Sequence, residues 1–240
     1  MTASEGFKRR KPVEPTQPDS VVVSIGYPLT DSVYDFTRRF TDFRPPLPQG
    51  PPPGEVDPTG ADPFIEFIDG ALRPWVRNTV FPSVEFTRDA LYGHSFGGLF
   101  VIYALTKNQS LFDTFLSASP AIDWNNGSIL DTVSQTLGKR CWNTTTIKCP
   151  PKSEGPAFMI SYGELEQFPV KRRTETQEQY EERRAFLSSL RMTDNSRELY
   201  RRVRYSDKLR DVVLKEYKGS DHSTVGASAV NDGIDYFVDW

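Results

Sequence analysis

The chain has 240 residues, 37% of them hydrophobic and 25% charged, and its 29 basic and 32 acidic side chains leave a net charge of -3. That length suits one sizeable α/β core, and the composition is that of a globular chain rather than a disordered or membrane one. The weak net charge sets up no field for a polyanion, so neither nucleic acid nor an anionic membrane is an expected partner.

Residues 1–20 are polar and carry Pro12, Pro15 and Pro18. Such a stretch cannot bury enough apolar surface to fold alone, so a flexible tail is expected, followed by a single α/β domain over residues 21–240. The tail lacks the apolar middle of a secretory signal, and no apolar run approaches the ~20 residues of a spanning helix. A cytoplasmic protein is expected. Cys141 and Cys149 are too few for a disulfide framework and read as free thiols, and the sequons at Asn126 and Asn143 read as chance.

Val21-Val22-Val23-Ser24-Ile25, closed by Gly26-Tyr27-Pro28, has the β-branched run of a central strand buried on both faces. Prolines at 45, 46, 48, 51, 52 and 53 predict a stiff loop, since proline fixes φ and has no N–H to donate. Phe64 to Val76 has helical apolar spacing behind Asp62-Pro63, a cap and first-turn pair. Asp89 to Tyr92 is a short strand, and Leu99 to Leu105 is apolar nearly all round, as in a helix buried under a sheet. Thr114–Ala118, Ala157–Tyr162 and Val212–Tyr217 repeat the short apolar strand pattern, with a charged helical stretch from Thr174 to Lys208 before the last. Strands alternating with helices predict a mostly parallel sheet covered on both faces, with the ligand site at the carboxyl ends of the strands.

Gly93-His94-Ser95-Phe96-Gly97 sits between a predicted strand and a predicted helix, and it fits the G-x-S-x-G nucleophile elbow. There the glycines permit a strained turn that lifts the serine hydroxyl out of the sheet. Gly98 is a further small residue that allows close helix–sheet approach. A serine nucleophile needs a base, and the chain has two histidines. His94 adjoins Ser95 in the elbow, where neighbouring side chains diverge, so it reads as a packing residue. His222 follows the last predicted strand, where the order Ser, acid, His places the base. The acid belongs on the loop after the preceding strand, where Glu164 and Glu166 both stand. Two residues apart on an extended loop, they point the same way, and spacing does not choose between them.

These residues, with Phe115-Leu116-Ser117-Ala118-Ser119-Pro120, Tyr162 to Gln167, Ile25 to Pro28, Tyr34-Asp35, Arg38-Arg39 and Asp42, resemble the esterase D-like branch of the α/β-hydrolases. Within that branch the chain is similar to siderophore esterases, which open the ester bonds of enterobactin-type or fusarinine-type siderophores. The resemblance runs from about Val21 to the C-terminus. It implies Ser95 as nucleophile, His222 as base, Glu166 rather than Glu164 as acid, the Phe96 amide as an oxyanion donor, and Arg39 as a substrate-positioning cation. Some such esterases work with a dyad. Tyr27 and Trp124 join Arg39 as expected substrate contacts at a wide mouth bordered by the proline loop and the Thr174–Lys208 region.

The resemblance also implies strands and a second oxyanion donor upstream of Val21, where only twenty polar residues stand. A truncated chain is therefore expected, a monomer or weak homodimer associating through an exposed sheet edge. The expected chemistry requires no metal or organic cofactor, and any iron arrives with the substrate. The rival expectations are a general carboxylesterase or thioesterase such as S-formylglutathione hydrolase, and an inactive hydrolase-like binding protein.

Overall fold

The computed structural model describes residues 18–28, 35–51, 53–55, 59–138 and 154–239. Most of the expected tail, both cysteines and Asn143 lie outside them. Four strands, β1 (Ala90–His94), β2 (Thr114–Ala118), β3 (Ala157–Gly163) and β4 (Asp211–Tyr217), form one sheet in sequence order with every pair parallel. Parallel neighbours need a crossover connection, and helices supply it. Preceding the sheet are α1 (Phe36–Phe43) and α2 (Ala61–Phe67). The helices α3 (Phe96–Lys107), α4 (Ile129–Leu137), α5 (Gln177–Leu190), α6 (Met192–Val203) and α7 (His222–Val238) follow in turn.

Side chains along each strand alternate between two helical layers. Phe115, Phe158 and Ile160 join the apolar core formed with residues of α3, α4 and α6, including Leu99, Val133 and Leu199. Leu116, one position on from Phe115, faces the opposite way onto Gly233 of α7, where a Cβ would stand 3.1 Å from a Leu116 methyl. The sheet is therefore covered on both faces, as the fully buried central strands β2 and β3 require.

Beyond α2 the chain stays helical to Val80, but through two wide turns, Ile68–Leu72 and Val76–Val80, on either side of Arg73–Trp75. Pro74 has no N–H for the ordinary ladder and sits between those turns. The charged stretch from 174 to 208 becomes α5, opened by a Thr176–Gln179 capping box, and α6, separated by Arg191 at φ 53°.

The expected central strand at Val21–Ile25 is absent. Residues 18–28 carry no regular structure, and Val21, Val22, Val23 and Ile25 are 43–47% exposed. A β-branched run needs a ladder partner as well as propensity. Among the described residues β1 pairs with β2 alone and forms the edge of the sheet.

Candidate active site

The elbow forms where β1 hands over to α3. Ser95 has φ 63° and ψ -120°, a backbone conformation that an L-residue adopts only when its surroundings hold it there. The neighbouring strand supplies that hold. Ser95 N–H donates to the Ala118 carbonyl at 3.0 Å, and the Ser95 carbonyl accepts from Ala121 N–H at 3.1 Å and from Leu99 N–H at 3.0 Å. A Cβ on Gly93 would lie 2.1 Å from the Gly97 carbonyl oxygen, and one on Gly98 would lie 2.7 Å from that of Ala118. Gly97 itself has room, its nearest neighbour being a Phe43 ring carbon at 4.0 Å. The steric constraint thus falls on Gly93 and Gly98 rather than on the second glycine of the motif. Phe96 is the first residue of α3, so its N–H has no acceptor within the helix and is available to an oxyanion.

Glu166 and His222 meet across the ends of β3 and β4. The imidazole Nδ1 lies 2.6 Å from Glu166 Oε2. A carboxylate only accepts, so Nδ1 carries the proton and Nε2 keeps its lone pair, which is the tautomer a general base requires. Glu166 is 3% exposed, and its other oxygen accepts from Ser119 Oγ at 2.6 Å and from Gly163 N–H at 2.5 Å. Both oxygens of this buried carboxylate are therefore satisfied.

Glu164 lies elsewhere. Its carboxylate accepts from Lys218 Nζ at 3.1 Å and Gly219 N–H at 2.9 Å, and the Gly219 amide above all holds its pKa below the usual range. The expectation that the two glutamates share a direction fails because residues 164–167 form a turn, not an extended loop.

The His222 ring packs at 4.5 Å between centroids against His94, the residue preceding Ser95. This brings His222 to the elbow, although among the described residues no hydrogen bond joins Ser95 Oγ to His222. In resting active sites such contacts are often long and tighten with substrate bound. Burial chiefly, aided by repulsion from His222 and Arg39 and opposed by Glu166, lowers the His94 pKa to about 4. His94 therefore stays neutral beside His222. Asp123 also feels the charge of His222, and burial raises its pKa.

The expected substrate contacts cluster around α1. Arg39 donates from Nη2 to the His94 carbonyl at 3.2 Å, bracing the elbow directly. Tyr27 donates its hydroxyl to Asp42 Oδ2 at 2.7 Å, and burial first, then Asp42, raises its pKa. Trp124 packs edge-on against Phe96 at 6.2 Å and lies 4.2 Å from the Arg44 guanidinium. Sequence reasoning missed three residues here: Ser119, Asp123 and Arg44. Ser119 is the residue after β2 and has φ 44°, a conformation without a composition signal when the residue is not glycine.

A parallel sheet sheathed by helices, with a serine elbow at the carboxyl end of one strand, defines the α/β-hydrolase class. A family profile described as "Putative esterase" matches residues 52–205. The chain is 40% identical over 241 residues to a siderophore enterobactin esterase of Emericella nidulans, covering 98% of this chain and 77% of the relative. It is 34% identical to a siderophore triacetylfusarinine C esterase of Aspergillus fumigatus, covering all of this chain and 78% of that one. The solved siderophore hydrolase EstA of Aspergillus nidulans superposes with a TM-score of 0.85 at 38% identity, over 99% of this chain and 77% of that one. The chain belongs to this esterase family and is a carboxylic-ester hydrolase.

Two predictions follow from the packing. Gly93→Ala should destabilise the fold by at least the ~1–3 kcal/mol of an overpacked core site, whereas Gly97→Ala should cost under about 1 kcal/mol, as read by urea unfolding. His94 has a folded pKa of about 4 against 6.5 when unfolded. Between those values the unfolded chain binds more protons, so stability falls as pH drops from 6.5 to 4 and levels off below. This contribution reaches about 3 kcal/mol, and unfolding curves of His94→Asn across that window should be flatter than the wild type's by that order.

Proposed function

We propose that the chain hydrolyses the ester bonds of a ferric siderophore, catecholate or hydroxamate, through an acyl-enzyme on Ser95. The observation that carries this reading is the pairing of buried Glu166 with the partly exposed His222, set by a 2.6 Å contact and packed against the residue that precedes the elbow serine. The relatives' names supply the substrate class, and a cytoplasmic role in releasing iron from imported chelates accords with it.

In the proposed reaction His222 Nε2 takes the hydroxyl proton as Ser95 Oγ attacks the ester carbonyl. The negative charge that develops on the carbonyl oxygen is met by the Phe96 N–H. Collapse of the tetrahedral species breaks the C–O bond, and His222 returns the proton to the departing alcohol. Water then repeats the sequence on the acyl-enzyme, with His222 first as base and then as acid, releasing a carboxylic acid and free Ser95. Glu166 holds the imidazole tautomer throughout, and Ser119 and Gly163 hold Glu166. Arg39, Tyr27 and Trp124 border the entrance on the α1 side. Iron enters and leaves as part of the substrate.

Ser95→Ala should abolish turnover of a ferric triester siderophore and labelling by a fluorophosphonate. Glu166→Gln should cost up to about ten-thousandfold in kcat, the scale of losing the acid from a triad, while Glu164→Gln should stay within a few-fold. A wild-type protein that cleaves p-nitrophenyl or thiol esters but leaves ferric siderophores intact would restore the general esterase alternative. A protein that binds a siderophore yet resists labelling would be a hydrolase-like binder.

A further inference from the structure

Arg44 has an unusual setting for a cation so near the elbow. Its guanidinium carbon lies 4.2 Å from the Trp124 ring centroid, 5.1 Å from that of Phe40 and 5.5 Å from that of Phe96, the residue after Ser95. Its backbone is fixed on both sides, the N–H donating to the Thr41 carbonyl and the carbonyl accepting from Ala61 N–H. Yet Nε is buried without a partner, and among the described residues no carboxylate or carbonyl accepts from the guanidinium. Burial lowers its pKa, with no carboxylate opposing the shift.

An unpartnered Nε is not peculiar to Arg44, since Arg73 has one too; the difference lies in the rest of the guanidinium. Arg73 and Arg77 share Asp89, Arg183 holds Glu175, and Arg202 reaches Glu198 and the Leu130 carbonyl. An arginine serving only to fill the gap between Trp124 and Phe40 would be expected to have such an acceptor, because a half-buried cation without one is costly. Aromatic faces steady a guanidinium by cation–π attraction without consuming its N–H donors. Arg44 is thus a cation held in place by aromatic faces, with N–H donors that no acceptor among the described residues takes up.

We propose that Arg44 is a charge-reading subsite beside Ser95, favouring anionic ferric tris-catecholate esters over neutral ferric tris-hydroxamate esters. The assignment rests on siderophore ester hydrolysis at Ser95. Three doubly charged catecholates around Fe(III) leave a trianion, whereas three singly charged hydroxamates leave no net charge, so a fixed cation distinguishes them by Coulomb attraction alone. The loss of such a contact is of the order of a charged hydrogen bond, or about tenfold and upward in kcat/KM.

The test compares the full chain with Arg44→Met and Arg44→Lys on ferric enterobactin, ferric triacetylfusarinine C and p-nitrophenyl butyrate, with melting temperatures to verify folding. The ratio of kcat/KM for the catecholate to that for the hydroxamate should fall about tenfold in Arg44→Met, chiefly through KM. Arg44→Lys should retain most of the ratio. Raising salt from about 50 to 500 mM should lower the wild-type ratio and leave that of Arg44→Met nearly flat, because screening removes what the mutation has already removed. A ratio unchanged in Arg44→Met, or equal losses on both chelates, overturns the assignment while leaving siderophore hydrolysis intact. Cleavage of p-nitrophenyl butyrate with neither chelate touched removes the siderophore reading itself, and this inference falls with it.

Discussion

The strained backbone of Ser95 is the constraint on which the rest of the site depends. A non-glycine residue at φ 63° persists only where its neighbours leave no cheaper conformation, and here they do so through the end of β2. The Ala118 carbonyl accepts from Ser95, while Ala121 donates back to Ser95. Gly98 lets α3 lie against the same carbonyl, close enough that a methyl group would not fit. The turn that exposes the hydroxyl therefore also fixes the first N–H groups of α3, so the proposed nucleophile and the proposed oxyanion donor are set by a single packing event. Arg39 adds a clamp from outside the sheet through the His94 carbonyl.

The sheet register does the remaining assembly. Because all four strands run parallel and in sequence order, their carboxyl ends fall at one edge, and each contributes one piece. The end of β1 carries Ser95, the end of β2 carries Ser119, the turn after β3 carries Glu166, and the loop after β4 carries His222 at the start of α7. Asp221 caps that helix through Ser223 and Thr224 N–H, which fixes where His222 leaves the loop. Slipping one strand by a residue would move its contribution and reverse its buried faces together. Core stability and site geometry are in this sense the same specification.

How much of this was legible in the sequence differs from residue to residue. The elbow could be read because its glycines answer a steric demand that sequence records, and the approach of His222 to it because the chain has only two histidines. Strands β2 and β3 and buried α3 could be read from nearly continuous apolar runs, β1 from a short, partly apolar stretch ahead of the elbow, and β4 from its Val212-Val213-Leu214 start. Choosing between Glu164 and Glu166 could not be done from spacing, since a turn, not an extended loop, decides which one reaches the imidazole. Val21 to Ile25 misled because propensity says nothing of whether a ladder partner is present. Ser119 and Arg44 were invisible for a related reason. Their roles lie in long-range contacts, to Glu166 and to Trp124, that no local pattern encodes.

The charges around the imidazole complete the picture. In the proposed reaction His222 becomes a cation during attack, and its surroundings must tolerate that without forcing the charge beforehand. Glu166, buried with both oxygens satisfied, supplies the stabilising anion. His94, packed on the other side of the ring, has been desolvated until it no longer takes a proton near neutral pH, so it presents a face without a competing positive charge. A second protonatable imidazole at 4.5 Å could have been a liability, and burial converts it into a neutral spacer. Arg39, whose charge also opposes protonation of His94, is directed onto a carbonyl instead of the base. The same physical device, withdrawal of a polar group from water, thus has opposite uses on the two sides of the elbow: it silences His94 and leaves Arg44 charged but unsatisfied.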